Sequence, residues 1–191
     1  MNESKKIRSF IALELSQEAR AELSRVENIL KRSGANVKWV RPESIHVTLK
    51  FLGYITEDKV DPISKKLEEI ASQTSPFDIV LSGIGAFPGW SHARVVWVGI
   101  SEGAEQVKTI AGLVEKAMAE EGFEEENRPF KSHLTIGRVR SSKEKEALAK
   151  DAEAIEVKPV SNHISRIILF RSELTPEGAI YTPLHIAEFS V

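Results

Sequence analysis

Pro42-Glu43-Ser44-Ile45-His46-Val47-Thr48-Leu49 is echoed, 87 residues further on, by Pro129-Phe130-Lys131-Ser132-His133-Leu134-Thr135-Ile136. Each stretch has a proline four residues before a histidine, then apolar, threonine, apolar. In a chain of 191 residues the spacing is a little under half the length. Two related lobes, each lending one strand to a shared site, would produce that pattern. On a strand, residues i and i+2 point the same way, about 6.6 Å apart at ~3.3 Å per residue. His46 and Thr48 therefore share one face, and Val47 and Leu49 turn to the core. The same holds for His133 and Thr135 against Leu134 and Ile136.

Outward from the two motifs, strand-like and helix-like segments alternate with no long linker. Ile7–Leu15 reads as a strand, and Ser16 as the N-cap of a helix to about Lys31 with Ala19, Leu23, Val26 and Leu30 on one face. Val37–Val40 and Ile45–Phe51 read as strands, the second closed by Gly53. Thr56 is the expected cap of a helix with Val60, Ile63, Leu67, Ile70 and Ala71 inside. Phe77–Ile84 and Arg94–Ile100 pair around a Gly-Pro-rich loop that holds Trp90. Ser101 leads into an amphipathic helix with Val107, Ile110, Ala111, Val114, Ala117 and Met118 in line. Lys131–Val139 is the strand of the second motif. Ser141 and Glu144 have capping-box form and open a helix to about Glu153. Ile155–Val160, Ile164–Phe170 and Leu184–Ser190 close the chain as strands. Short connections between neighbouring strands favour antiparallel or mixed sheets, and no Rossmann glycine fingerprint is present. The fold class is α+β.

The composition removes several function classes. With no cysteine there is no disulfide, thiolate metal site or cysteine nucleophile. A net charge of −2 argues against a non-specific binder of long nucleic acid. No apolar run approaches the ~18 residues of a membrane-spanning helix. Arg8 and Glu14 interrupt the only apolar patch that follows Lys5 and Lys6, so no signal peptide is read. A cytoplasmic protein is expected.

Two imidazoles and two hydroxyls converging on a cleft can perform acid–base chemistry on a phosphate. Imidazole gives and takes protons near neutrality, and a positioned acid or base typically contributes ~10²–10⁴-fold. Threonine hydroxyls can hold non-bridging phosphate oxygens. The scheme requires neither a covalent intermediate nor a metal. Arg128, Lys131, Arg138 and Arg140 flank the second motif without an acid between them. Lys38, Arg41 and Lys50 flank the first, against only Glu43. The run Glu120, Glu121, Glu124, Glu125 and Glu126 reads as a solvated helix end and loop.

The chain resembles the two-histidine (2H) phosphoesterase superfamily, and within it the RNA 2′,3′-cyclic phosphodiesterases, historically called 2′-5′ RNA ligases. The resemblance rests on Trp39 through Gly53, on Ser132-His133-Leu134-Thr135-Ile136-Gly137-Arg138, on Gly85-Ala86-Phe87-Pro88 and on Phe170-Arg171-Ser172-Glu173-Leu174. It implies one bilobal domain over residues 1–191, each lobe an antiparallel sheet backed by helices, with the site between the sheets. It implies metal-free hydrolysis of RNA 2′,3′-cyclic phosphate ends to 2′-phosphates. By motif position His46 is the proton donor and His133 the proton acceptor. Thr48, Thr135 and Arg138 would bind the phosphate. The implied partners are RNA 3′ ends or small cyclic-phosphate nucleotides, with no cofactor, no metal and no membrane, bound by a monomer. Phosphodiesterase action on small cyclic nucleotides or ADP-ribose cyclic phosphate, and a non-catalytic module binding nucleotides or RNA ends, are the alternatives.

Several side chains sit awkwardly in this reading. Strict alternation turns Arg138 away from His133, and a bulge or strand end supplied by Gly137 would re-aim it. Lys50 either shares the His46–Thr48 face or is solvated. Phe51 belongs in the core with Val47 and Leu49, away from any base. Trp90 is expected to pack rather than line the cleft. His92, His163 and His185 lack metal-ligand spacing and are taken as structural.

Overall fold

The computed structural model describes residues 6–176 and 178–190. Two antiparallel sheets carry the fold. The first joins β1 (Ile7–Leu13), β3 (Val47–Ile55), β8 (Arg166–Thr175) and β9 (Gly178–Glu188) in the order β3-β1-β8-β9. The second joins β2 (Val37–Trp39), β4 (Phe77–Phe87), β5 (Val95–Ile100), β6 (His133–Val139) and β7 (Ser161–Ile164) in the order β2-β6-β5-β4-β7. Setting β3 against β6, the two motif strands, aligns β3-β1-β8-β9 with β6-β5-β4-β7. β2 is the extra strand. Both sheets therefore follow one plan, but each draws strands from both halves of the chain.

Helices α2 (Val60–Ala71) and α3 (Ala104–Glu120) cover the first sheet, α2 over β8 and β9 and α3 over β3. Helix α1 (Gln17–Leu30) packs beside α4 (Lys145–Ala154) and against β7, while α4 also meets β4. Each helix turns one apolar stripe inward. In α1 the stripe is Ala19, Leu23, Val26 and Leu30, and in α3 it runs from Val107 to Met118. These join Ile11, Leu13, Ile45, Leu67, Ile79 and Leu134 in one large core. Full burial of each such aliphatic side chain is worth about 1.5–3 kcal/mol. A second, small cluster of Phe10, Ala12, Ile168 and Phe170 with Tyr181 lies on the other face of the first sheet. That face looks into the cleft.

Irregularities in the motif strands decide which side chains reach the cleft. Opposite β1, Ala12 pairs with Thr48 and Ile11 with Lys50, leaving Leu49 as an extra residue. Opposite β5, Trp97 pairs with Thr135 and Val96 with Gly137, leaving Ile136 extra. Both motif strands thus carry a bulge immediately after the threonine, and a bulge shifts the side-chain alternation by one. A second bulge in β3 falls at Leu52, with Phe10 opposite Phe51 and Ser9 opposite Gly53. Gly53 there takes φ +71°, a conformation few other residues accept.

Local details depart from the sequence expectations. Ser16 does cap α1, its side chain accepting from the Ala19 N–H. Thr56 makes no side-chain cap, and a short turn at Glu57–Lys59 intervenes before α2. The Ser141–Glu144 capping box does not form: Glu144 adopts φ +54° at the start of α4 and caps nothing with its side chain. Ile155–Val160 is irregular rather than a strand, although Val157 is buried and the Val160 carbonyl accepts from Leu81. β9 begins well before Leu184 because Pro183 sits in an edge strand, next to a register shift opposite Leu169 and Phe170.

Candidate active site

His46 stands between the turn at Pro42–Ser44 and the start of β3. Its Nδ1–H donates to the Ser44 carbonyl at 2.9 Å, which leaves Nε2 as the free ring nitrogen. The ring stacks on Phe10, with centroids 4.6 Å apart, and meets Tyr181 edge-on at 5.2 Å. Burial pushes its pKa down to about 4; the bond to Ser44 opposes the shift and the Arg20 charge adds to it. At neutral pH burial therefore holds this imidazole neutral.

His133 repeats the arrangement on the other sheet. Its Nδ1–H donates to the carbonyl two residues earlier, Lys131, at 2.7 Å. The ring lies edge-on to Phe87 at 5.0 Å, and Phe87 in turn packs on Trp97 at 5.2 Å. Burial lowers the His133 pKa as well, with the Arg138 charge adding to the effect. Each histidine is thus aimed by a backbone carbonyl at i−2 and steadied by aromatic rings.

Between the sheets lies a cleft of about 350 Å³. Its walls include His46, Thr48 and Phe51 from the first sheet and Thr135 and Arg138 from the second. His133 precedes Thr135 by two positions on the same strand face. Among the described residues four cations line the cleft, Arg8, Lys38, Arg41 and Arg138, and no carboxylate does. Strand β2 crosses to the second sheet, pairing Lys38 with Arg138, before the chain returns to β3. That detour brings Trp39, Val40 and Arg41 into the cleft wall. A larger open groove of about 680 Å³, between α1 and the segment after α4, contains none of the motif residues. His46, Thr48, Thr135 and Arg138 line the cleft, and none of them lines the groove.

The bulge beyond Thr135 answers the question of Arg138. With Ile136 as the extra residue, Leu134, Ile136 and Gly137 are buried, while Arg138 reaches the cleft beside Thr135. Gly137 is required for a different reason: a Cβ there would lie 2.6 Å from Val37 Cγ1 and 2.9 Å from the Trp39 ring. The equivalent bulge overturns two expectations on β3. Lys50 is neither in the cleft nor solvated. It is buried, with Nζ 2.5 Å from Glu115 and 2.9 Å from the Glu124 carbonyl. Phe51 leaves the core, stands 62% exposed and lines the cleft. Phe51 and Arg138, each five residues after a motif histidine, therefore occupy matching places on the two sheets.

Arg8, Phe10, Tyr181 and the approach of Phe87 to His133 were not legible as site features. Arg8 and Phe10 sit in a strand with buried residues on both faces. Tyr181 lies in a stretch to which the sequence pattern assigned no element, and burial raises its pKa, which keeps its phenol neutral. Trp90 packs against the core. His92, His163 and His185 bond Ser91, Asp78 and Glu68 respectively, away from the cleft. Among the described residues no three His, Asp or Glu side chains gather as a metal site would require, and no helix is long and apolar enough to cross a membrane.

Comparison with known proteins agrees with this architecture. The family model described as LigT-like phosphoesterase matches twice in tandem, over residues 13–97 and 98–181. An RNA 2′,3′-cyclic phosphodiesterase of Methanothermobacter thermautotrophicus is 36% identical over 182 residues, spanning 95% of this chain and 98% of that protein. One of the same description from Aquifex aeolicus is 36% identical over 183 residues, spanning 93% and 95%. The crystal structure of a Thermus thermophilus protein superimposes with a TM-score of 0.78 at 27% identity, covering 96% of this chain and 98% of that one. The chain belongs to the LigT-like phosphoesterase family.

Proposed function

We propose that this LigT-like phosphoesterase hydrolyses the 2′,3′-cyclic phosphate at RNA 3′ ends to a 2′-phosphate, without a metal. The observation that carries the reading is the pair of imidazoles. Each is fixed by a carbonyl two residues before it; His46 lines a cleft whose other wall holds Thr135, two residues after His133, and whose described lining has four cations and no carboxylate. Relatives described as RNA 2′,3′-cyclic phosphodiesterases, matched over nearly their whole length, support the substrate class.

In the proposed step water attacks phosphorus as His133 takes its proton. The bond from phosphorus to the 3′ oxygen breaks, and His46 donates the proton that oxygen needs. Thr48, Thr135 and Arg138 hold the non-bridging oxygens and offset the charge that builds there. Phe51 offers the terminal base a face on which to lie. Burial alone would keep His46 neutral, so donation depends on the anion it meets. A phosphate beside the imidazole stabilises its charged form and raises its pKa. Tyr181, edge-on to His46, keeps the ring in its place.

The test is incubation with an oligonucleotide ending in 2′,3′-cyclic phosphate in excess chelator, with identification of the product. A 2′-phosphate formed at undiminished rate is expected. Loss of activity with chelator would refute the metal-free step, and a 3′-phosphate product would reverse the leaving group. His46→Ala and His133→Ala should each cut turnover severely in a folded protein, and their losses should not multiply, because the two act as a unit.

A further inference from the structure

We infer that the site extends past the terminal nucleotide into a second subsite, formed by Tyr54 and Arg8, that takes the penultimate nucleotide of an RNA 3′ end. This rests on the phosphodiesterase reading and deepens it: the preferred substrate is an oligonucleotide rather than a mononucleotide. The two bulges in β3 carry the inference. A regular strand would send Thr48, Phe51 and Tyr54 to alternating faces. With Leu49 and Leu52 as extra residues, all three stand on the cleft face at a spacing of three. The order along the strand runs outward, from the proposed phosphate-holding hydroxyl to two aromatic rings.

Register with β1 fixes what lies beside those rings. Phe51 pairs with Phe10 and Tyr54 with Arg8, and Arg8 lines the cleft. Phe10 and Arg8 are two residues apart, about 6.6 Å along the strand. That is about twice the ~3.4 Å rise of stacked bases. Two consecutive bases would therefore be splayed, each on its own ring, the usual way single strands are read on aromatic platforms. Phe51 is 62% and Tyr54 69% exposed, so both faces are open to a ligand.

Charge complementarity selects the occupant. Arg8 Nη1 bonds the Ser172 hydroxyl at 2.7 Å, and the guanidinium has no carboxylate partner among the described residues. The neighbouring acid on β8, Glu173, bonds Arg171 at 2.8 Å and alternates to the other face from Ser172. A cation abreast of the Tyr54 ring, about 13 Å along β1 from the residue opposite the phosphate-holding threonine, suits a phosphate beyond the terminal one, the link between the last two nucleotides. Leu174, 69% exposed, borders the cleft on the opposite side, which leaves the strand a path along β3.

The experiment compares 2′,3′-cyclic AMP with the dinucleotide ApA ending in a 2′,3′-cyclic phosphate, and with the same dinucleotide carrying an abasic penultimate sugar. Wild-type kcat/KM should favour ApA over cyclic AMP by about tenfold or more, the scale of one stacked base. The abasic dinucleotide should lose most of that advantage. Tyr54→Ala should lower kcat/KM for ApA about tenfold, change that for cyclic AMP less than twofold, and make the abasic substitution nearly silent. Arg8→Gln should flatten the extra salt dependence of the ApA reaction, about −0.7 in log–log slope for one phosphate contact. Equal efficiency on cyclic AMP and ApA would overturn the subsite and leave the phosphodiesterase standing. Equal losses on both substrates in Tyr54→Ala would reduce Tyr54 to a structural residue and overturn it too. Failure to turn over either substrate would overturn the subsite together with the activity beneath it.

Discussion

Lowering the pH should destabilise the fold through His46 in a way that a single substitution can isolate. An unfolded chain leaves this histidine near 6.5, while burial in the native cleft holds it at about 4. Between those values the unfolded state binds more protons, so stability rises with pH across this window and falls as pH drops through it. The interval is about 2.5 pH units, and one unit is about 1.4 kcal/mol, so roughly 3 kcal/mol of native stability at pH 7 is lost by pH 4. Other groups titrate in the same range, His133 among them, and a single denaturation curve would blend them. The assay is therefore a difference: urea unfolding of wild type and of His46→Gln from pH 7.5 to 4. Above pH 6.5 the stability difference should be constant, and below it wild type should lose about 3 kcal/mol more than the variant. Inorganic phosphate should raise the His46 titration, followed by the ring C–H resonances, because an anion beside the imidazole favours its charged form. Parallel stability curves for the two proteins would refute the claim that burial keeps this imidazole neutral.

Two further perturbations probe the bulged strands. Gly137→Ala puts a Cβ within 2.6 Å of Val37. It should cost about 1–3 kcal/mol by overpacking and reduce turnover by moving β2 and Arg138, checked by urea midpoint and cyclic-phosphate hydrolysis; a stable, fully active variant would contradict the close approach. Lys50→Met removes the ammonium that joins Glu115 to the Glu124 carbonyl. It should cost about 2 kcal/mol and expose the 121–126 segment to limited proteolysis; unchanged stability and cleavage would refute a structural ion pair.

Much of the fold was legible because it depends on local pattern. The helical stripes of α1 and α3 follow from apolar spacing, and the Ser16 cap from its hydroxyl. The repeated His-x-Thr-x stretches located both catalytic candidates, because period two places i and i+2 on one face whatever the strand packs against. The same rule failed one residue later in both motifs. Strict alternation assigned Phe51 to the core, left Lys50 open between cleft and solvent, and turned Arg138 away. Bulges at Leu49 and Ile136 reversed each of these. A bulge depends on how a partner strand is paired, and β1 and β5 lie far from β3 and β6 in sequence.

By itself, then, the sequence determined two strands with paired imidazoles and hydroxyls, an α+β pattern and the chemistry those groups can perform. Only the tertiary structure decided that each sheet takes strands from both halves of the chain. It also placed Arg8, Phe10 and Tyr181 on the His46 side and Phe87 on the His133 side. It assigned an aromatic ring to one motif and a guanidinium to the other at the same offset. The physical reason is range. Side-chain direction within a strand is set by covalent geometry, whereas register, bulges and the neighbours of a ring are set by non-local pairing that no short stretch encodes.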